Sequence, residues 1–354
     1  MKIEEIQQRT VLWWGRFNPD YSRNRILQHA FRDLGWRVVD FHPRLSRTGH
    51  LEAALKRMKT PDLIWLPAFR QRDMAAAANF ARARRRPLIF DPMISAYDKQ
   101  VFEQRKFEEG SAKAEALLKW ERALFAHADY VIADTAGHAD FYRTTLNVPA
   151  ARLRVVALGA EGALFTPGPL RHKPADAPLE ALFFGSFINL QAPEVIVEAA
   201  KLCPAPVRWV LLGAGPLRAA CEAAAAGHPN IAFEDYLPYE MLPGRIRAAD
   251  ILLGIFGESD KAARVIPNKV YQALSAGRVV VTRQSGAYPE PKTDGLIEVA
   301  PNDPAALSNA VQQLAAARAS LPARGQAARD YYDKNFSISS IHAQLADVIG
   351  EFSR

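Results

Sequence analysis

The sequence has little cysteine and no long apolar run. Its 354 residues include only two cysteines, Cys203 and Cys221, and neither belongs to a CxxC pair. This argues against a disulfide framework and favours a reducing, cytoplasmic location. No stretch approaches the ~18 consecutive apolar residues that a membrane-spanning helix needs. The first residues, MKIEEIQQRT, are polar and acidic, so we expect no signal peptide.

Several catalytic motifs are also missing. The sequence contains no GxGxxG, no GxxxxGK[ST], no HExxH and no GxSxG, and its eight histidines are scattered. These absences argue against nicotinamide dinucleotide, P-loop, zinc-hydrolase and serine-hydrolase chemistry. We therefore expect neither a metal nor a cofactor. Carboxylates in "GESDK" (257–261) and the pair Asp91 and Asp98 leave a Mg²⁺ site as the alternative.

The charge is distributed unevenly along the chain. Residues 1–170 hold 27 Lys and Arg against 19 Asp and Glu, a balance of +8, whereas residues 171–354 hold 18 against 19, a balance of −1. The densest basic patch is "RARRRP", which follows the helix-favouring run "MAAAANFA". Such a patch suits anionic lipid or nucleic acid, or is simply a solvated helix end whose arginines favour the negative pole.

Short apolar runs alternate with helical stretches throughout both halves of the chain. Continuous apolar runs such as "DLIWLPA" and "DILLGIF" are typical of parallel strands buried on both faces. The pattern is interrupted once, by a proline-rich stretch. We therefore predict an α/β protein with two facing doubly wound, Rossmann-like domains and an active site in the cleft between them. The predicted boundaries are 1–165, a linker at 166–179, 180–330, and a helical tail at 331–354 that packs back on the first domain.

Three predicted strands end in glycine turns that could approach a ligand. These turns contain Gly15, Gly185 with Ser186, and Gly213. Glycine lets the backbone come close to a phosphate and leaves N–H groups open to it. For each glycine taken alone, a tight turn between a strand and a helix is the better explanation.

The stretch "RVIPNKVYQALSAGRVVVT" (264–282) places cations at the start of a predicted helix. Pro267 suits the first helical turn, and Asn268 follows it. Arg264 and Lys269 lie near the positive pole of the helix, which disfavours them. A bound diphosphate would compensate both charges. In the alternative interpretation Arg264 points to solvent and Lys269 snorkels.

Six segments in register resemble family 4 glycosyltransferases of the GT-B fold. They run in the family's order: "VVALGAEGALFTPGP", "LFFGSF", "VLLGAGPLRAACE", "IAFEDYLPYEMLPGRIRAADILL", "NKVYQALSAGRVVVT" and "YPEPKTDGLIEVAPNDPAALSNAV". The resemblance covers essentially the whole chain. It implies transfer of a sugar from a nucleotide-diphosphate sugar to a hydroxyl acceptor, with retention of configuration and without a metal. The second domain would bind the donor and the first the acceptor.

The resemblance also implies which residues bind the donor. The backbone around Tyr236 and Leu237 would hold the base, and Gln272 stands where the family places the Glu that binds the ribose. The family's Glu-x7-Glu pair is replaced here by Arg264 and Gln272. Gln191 occupies the region where a basic residue is common, so Arg264 or Lys269 would supply the positive charge. Arg264 and Lys269 are thus the predicted stabilisers of the leaving diphosphate.

The first domain supplies the predicted acceptor side. "GRFNPDYSRNRI" (15–26) follows the first strand, and its Gly15 and Asn18 are predicted donor contacts. Arg23 and Asn24 in the same segment are predicted acceptor contacts. Carboxylates follow the fourth and fifth strands, where they could orient an acceptor hydroxyl; they are Asp91, Asp98 (a predicted catalytic residue) and Asp134. Asp134 has the alternative interpretation of a helix N-cap.

We therefore expect a hexosyltransferase of bacterial glycan biosynthesis acting on a glycan, lipid-linked or small-molecule acceptor. Its partners would be the nucleotide sugar, the acceptor and, through the basic first half, the inner face of a membrane. The alternatives are a catalytically silent nucleotide-sugar binder, a transferase with a nucleic-acid acceptor, and a GT-B epimerase or phosphorylase. The epimerase would use Asp91, Asp98 and Glu290. A nucleic-acid partner is disfavoured because arginines and aromatics do not alternate along the chain.

Overall fold

The computed structural model describes residues 8–169, 174 and 177–352. The chain forms two compact units: unit 1 is Met1–Leu158 with Ile341–Arg354, and unit 2 is Gly159–Ser340. The sequence places these divisions at 165 and 330, whereas in the structure they fall after Leu158 and after Ser340. Residues 170–173, 175 and 176 of the predicted linker lie outside the described residues, as do most of the N-terminal residues considered for a signal peptide.

Unit 1 contains a six-stranded parallel sheet. Its strands are β1 (Thr10–Trp14), β2 (Arg37–Phe41), β3 (Leu63–Leu66), β4 (Leu88–Phe90), β5 (Tyr130–Ala133) and β6 (Leu153–Val155). They are ordered β2-β1-β3-β4-β5-β6. The helices between them are α1 (Ser22–Asp33), α2 (Gly49–Leu55), α3 (Met74–Arg84), α4 (Ala112–Phe125) and α5 (Ala136–Thr144), with a short π-helical segment at Asp98–Glu103.

The core of unit 1 lies on both faces of this sheet. Trp13 and Trp65 stack across neighbouring strands with ring centroids 5.3 Å apart. Trp14 projects to the opposite face and packs against Phe41 and Phe80. Successive side chains of a strand point to opposite faces, so the consecutive tryptophans of β1 fill two separate layers. This double burial explains why these strands are continuous apolar runs.

Unit 2 contains a second six-stranded parallel sheet, ordered β12-β11-β10-β7-β8-β9. Its strands are β7 (Leu179–Phe184), β8 (Val207–Leu212), β9 (Ile231–Glu234), β10 (Ile251–Leu253), β11 (Val279–Arg283) and β12 (Leu296–Val299). Its helices are α6 (Pro193–Leu202), α7 (Arg218–Ala224), α8 (Leu242–Ala248), α9 (Asp260–Arg264), α10 (Asn268–Ser275), α11 (Pro304–Ala316) and α12 (Leu321–Asn335). Both cysteines are free and buried in this unit.

The chain ends with α13 (Ile338–Gly350), which leads back into unit 1. Gln344 on this helix accepts a hydrogen bond from the backbone N–H of Ala157 at 2.8 Å. Glu351 pairs with Arg154 at 2.6 Å. These contacts tie the last residues of the chain to the sixth strand of unit 1.

Each sheet has one point where successive connections leave in opposite directions. In unit 1 this point lies between β1 and β3, and in unit 2 it lies between β7 and β10. Open parallel sheets bind ligands at such points, outside the carboxyl ends of the strands. Among the helices in the described part of the chain, none is both long and apolar enough to cross a membrane.

Candidate active site

In unit 2, two loops pack together through their backbones at the point between β7 and β10 where the connections change direction. The loop after β10 runs so close to the loop after β7 that a Cβ on Gly257 would lie 2.6 Å from the carbonyl oxygen of Leu190. The N–H of Phe256 donates to the carbonyl of Gln191 at 3.1 Å. These contacts hold Gln191 beside the carboxyl end of β7.

The predicted glycine turns of unit 2 pack directly on each other. Gly213 has a φ of +132°, and a Cβ there would lie 2.0 Å from the carbonyl oxygen of Gly185. Close approach of the two turns therefore accounts for Gly213 without a ligand. Gly185 has a φ of +145°, and a Cβ there would lie 3.0 Å from Lys269 Nζ. The glycine therefore leaves room for the ammonium. Ser186 follows and is exposed.

Lys269 turns inward from the first turn of α10. Its side chain is 6% exposed, so the interpretation in which it snorkels to solvent is wrong. The ammonium donates to Gln191 Oε1 at 2.6 Å and lies 3.6 Å from the ring centroid of Phe183. No carboxylate of the described residues pairs with it, and burial holds the pKa of Lys269 well below its usual range. This arrangement can accept an anion at the glycine turn.

The remaining residues predicted around the start of α10 have different environments. Pro267 occupies the N-cap position rather than the first turn, with no side-chain cap, and Asn268 is exposed. Gln272 lies one turn after Lys269 and is buried. Arg264 is the last residue of α9, a short helix that the sequence analysis did not predict, and is half-buried. A contact of Arg264 with a ligand stays a prediction.

The predicted base site follows β9 at the edge of the sheet. Tyr236 is 73% exposed, and Leu237 beside it is half-buried. Arg218 from α7 donates to the carbonyl of Gly213 at 2.5 Å and pairs with Asp235 at 2.9 Å. The loop is thus anchored to the β8 turn while the ring of Tyr236 is left open to stack on a planar ligand.

In unit 1, Gly15 follows β1, beside the point between β1 and β3 where the connections change direction. Its φ is +122°, and a Cβ there would lie 3.1 Å from Cγ of Arg70, which pairs with Asp73 at 2.5 Å. Packing against this ion pair therefore requires the glycine. Asn18 is exposed and its Oδ1 accepts from the N–H of Asp20 at 2.9 Å, as in an Asx turn.

Arg23 lies in the core of unit 1. Its guanidinium makes two bonds to Asp91, at 2.9 and 3.1 Å, and donates to the carbonyls of Val156 and Ala157 at 2.7 Å each. The pair ties the end of β4 to the end of β6, which explains both residues without an acceptor. Burial raises the pKa of Asp91, and the Arg23 charge opposes that rise. Asn24 is also buried and donates to the carbonyl of Asn18 at 2.8 Å.

Asp134 is not the N-cap of α5. Thr135 occupies that position and its side chain accepts from the N–H of His138 at 3.1 Å. Asp134 instead bonds His138 Nδ1 at 2.5 Å, and both side chains are buried. Burial works against its ionisation, but the His138 charge and hydrogen bond hold the pKa of Asp134 below its usual range. The sequence analysis missed His138, although its i,i+4 spacing from Asp134 could have indicated the pair.

Asp98 begins the π-helical segment and is fully buried. Its N–H donates to Ser95 Oγ at 3.1 Å. Glu121 on α4 accepts from Ser95 Oγ at 2.6 Å and from the N–H groups of Ala96 and Tyr97 at 2.6 and 2.8 Å. Glu121 therefore positions the loop after β4, and nothing in its helical sequence context indicates this. Among the described residues, no three His, Cys, Asp or Glu side chains are grouped as metal ligands would be.

Comparison with known proteins bears on both units. Residues 14–159 match the family described as glycosyl transferase 4-like domain, and residues 178–317 match glycosyl transferases group 1. HepE of Anabaena, solved with UDP, is 14% identical over 97% of this chain and 100% of its own, with a TM-score of 0.71. Sucrose-phosphate synthase of Thermosynechococcus elongatus is 17% identical over 98% and 99% of the two chains, with a TM-score of 0.71. No curated protein sequence matches the chain.

The two family matches together span most of the chain. The protein belongs to the GT4-like glycosyltransferases, with two Rossmann-like domains of the GT-B fold. The predicted family, fold class and enzyme class are therefore confirmed. The roles predicted for individual residues stay predictions.

Proposed function

We propose that the protein transfers a hexosyl group from a UDP-sugar to a hydroxyl acceptor, with retention of configuration and without a metal. The observation that carries the proposal is the buried ammonium of Lys269 at the Gly185 turn, which has no carboxylate partner among the described residues. An isolated buried cation is unfavourable, and a diphosphate would supply the missing negative charge.

The surroundings of Lys269 suit a diphosphate in a second way. Helix α10 begins at Asn268 and its N-cap, Pro267, has no capping side chain. The N–H groups of Asn268 and Lys269 form the positive pole of the helix, which attracts anions, and the N–H of Val270 behind them donates to the carbonyl of Pro267 at 2.9 Å. Backbone donors, the helix dipole and an ammonium would act on the same phosphate groups.

The spacing between the two predicted ends of the donor site fits a nucleotide. Gly185 follows β7, and the exposed ring of Tyr236 follows β9, which is two strands away. Neighbouring strands are about 4.8 Å apart, so these ends are separated by roughly 10 Å. A nucleoside diphosphate can span that distance with its base on Tyr236. HepE has been solved with UDP and with UDP-glucose, which supports uridine as the base.

In the proposed reaction, the bond between the anomeric carbon and the diphosphate oxygen breaks. The acceptor oxygen bonds the same carbon on the same face, and its proton passes to the departing phosphate. Lys269 and Arg264 would stabilise the negative charge that develops on that phosphate. The acceptor would be a glycan, a lipid-linked sugar or a small molecule. Retention, metal independence and the proton transfer follow from the family resemblance.

A thermal-shift series with UDP, ADP and GDP, each with Mg²⁺ and with EDTA, tests the donor. We expect UDP alone to raise the melting temperature, equally with and without metal, because a ligand of the folded state stabilises it by mass action. Absence of a shift with every nucleotide would overturn the proposal. A dependence on Mg²⁺ would overturn its metal-free part.

Turnover of UDP-glucose, followed as release of UDP, separates a transferase from a silent binder. We expect Arg264→Ala to lower turnover with little effect on the melting temperature, since Arg264 ends a short helix and is half-buried. A UDP shift without any hydrolysis or transfer would indicate a nucleotide-sugar binder. The replacement of the family's Glu pair by Arg264 and Gln272 favours that second candidate.

A further inference from the structure

The surface around α2 exposes large apolar side chains that the fold does not use. Leu45, Leu51 and Leu55 are 66%, 55% and 85% exposed. Leu51 and Leu55 are one helical turn apart and therefore share a face of α2. The buried residues of this helix are Gly49 and Ala53. The helix thus packs through small residues and leaves its leucines in solvent.

Cations flank these leucines along the chain. The stretch 44–59 contains five of them and one acidic residue; the cations are Arg44, Arg47, Lys56, Arg57 and Lys59. The acidic residue, Glu52, pairs with Lys56, whose Nζ lies 2.7 Å from the carboxylate, so the stretch has a net charge of +4. We name Leu45, Leu51, Leu55 and these five cations the α2 surface.

The basic end of α3 extends the α2 surface. Arg84 Nη1 lies 3.2 Å from Thr60 Oγ1, just after the last cation of the surface. Arg84 belongs to the "RARRRP" patch that the donor chemistry leaves unused. Arg86 of the same patch lines two open cavities of unit 1, of about 580 and 740 Å³, and so extends the positive charge further.

Exposed apolar side chains flanked by exposed cations match the interface of an anionic bilayer. Leucines gain free energy by entering the region between headgroups and acyl chains, and lysines and arginines are attracted to anionic headgroups. A hydrophilic polyanion would use the cations and leave the leucines in water. We propose that the α2 surface binds anionic membranes. The proposal is independent of the donor and of the transferase chemistry.

Flotation of the full-length protein with vesicles tests the proposal. One set contains phosphatidylcholine alone and the other contains about one third phosphatidylglycerol. We expect binding to the anionic vesicles only, with loss at high salt. The triple change Arg47→Gln, Arg57→Gln and Lys59→Gln should weaken binding roughly 100-fold. Leu55→Ser should weaken it roughly tenfold.

Matched changes elsewhere provide the controls. Lys113→Gln, Lys119→Gln and Lys334→Gln together remove the same charge from exposed positions, and Leu202→Ser removes an exposed leucine of unit 2. We expect these variants to bind the vesicles as the wild type does. The proposal is overturned if anionic vesicles do not bind, or if both triple variants lose binding equally. It is also overturned if Leu55→Ser has no effect while heparin competes fully, which would indicate a polyanion site. UDP-glucose turnover of each variant is measured in parallel, so that loss of the donor site is distinguished from loss of membrane binding.

Discussion

Replacing Lys269 with methionine should change donor affinity and protein stability in opposite directions. Methionine is one atom shorter than lysine, so it keeps an unbranched, flexible side chain beside Phe183 and removes the charge. In the wild type the ammonium is 6% exposed, donates to Gln191 at 2.6 Å and has no carboxylate partner among the described residues. The free protein therefore bears the cost of a buried charge that a bound diphosphate would offset.

The expected magnitudes follow from these contacts. A hydrogen bond to a charged group contributes about 1.5–3 kcal/mol, so Lys269→Met should weaken UDP binding roughly 10- to 150-fold. Replacing a buried charge with an apolar side chain is neutral or stabilising, by about 1–2 kcal/mol here, because among the described residues the ammonium loses only its hydrogen bond to Gln191. For a unit of this size that gain is about 2–8 °C in melting temperature.

The stability gain should depend on pH. Because burial lowers the pKa of Lys269 in the folded protein, protonation favours the unfolded state, and the wild type gains stability as pH rises from the folded pKa to the unfolded value. The advantage of Lys269→Met is thus largest below the folded pKa of Lys269. It should fall as the pH approaches the unfolded lysine pKa of about 10.4.

Titration calorimetry with UDP and thermal unfolding across this pH range measure both effects. Lys201→Met is the control, because its ammonium forms a surface ion pair with Glu198 at 2.7 Å and should change neither quantity by much. Unchanged UDP affinity in Lys269→Met would refute the diphosphate contact. A loss of stability would show instead that the bond to Gln191 is a structural contact.

Three further variants test packing and charge within the units. Gly213→Ala should lower the free energy of unfolding, measured in urea, by about 3 kcal/mol or more, because its Cβ would lie 2.0 Å from a backbone oxygen. Gly227→Ala is the control: Gly227 also has a positive φ, but a Cβ there would meet nothing within 4 Å, so the cost should be about 1 kcal/mol. Arg23→Ala should lower the free energy of unfolding by about 3–5 kcal/mol, because it leaves the buried carboxylate of Asp91 without its ion-pair partner. The double variant Arg23→Ala with Asp91→Asn should lose less, and an equal loss would contradict this explanation. The pKa of Asp134 is lowered in the folded protein, so its stabilisation is present above the unfolded pKa of about 3.9 and is lost as pH falls through the folded pKa. Asp134→Asn should therefore lose less stability on acidification than the wild type does. Urea unfolding at neutral pH and at about pH 3 measures the difference.

The fold could be predicted from the sequence because its strands are buried on both faces. The runs "DLIWLPA" and "DILLGIF", which predict buried strands, contain β3 and β10. Helix α9 was missed because it has only five residues and its acidic start, "GESDK", was interpreted as a loop. Ser259 caps this helix, because its side chain accepts from the N–H of Ala262 at 3.2 Å. A serine at this position is a common N-cap residue, so the sequence contained a signal for the start of α9.

The candidate site was predictable only in part. Motif order brought Gly185 and α10 into one donor site, but the direction of Lys269 depends on Gln191, which is 78 residues away in the chain. Polar residues near strand ends were harder to interpret. Arg23 and Asp91 face each other inside unit 1, and a polar side chain after a strand serves the core or a ligand depending on packing that no local pattern encodes.

The connection that carries the α2 surface runs from one edge of the unit 1 sheet to the other. Leu45 follows β2 on the carboxyl side, whereas Leu55 and the cations after it precede β3 at the amino edge. Gly49 begins α2 and packs on the last residue of β1, because a Cβ there would lie 3.0 Å from the Trp14 ring. A strand of four residues such as β3 is about 13 Å long. A bilayer that held the whole α2 surface would therefore lie alongside the sheet over about that length, and an acceptor close to the headgroups would be presented beside the turn of unit 1 that contains Gly15.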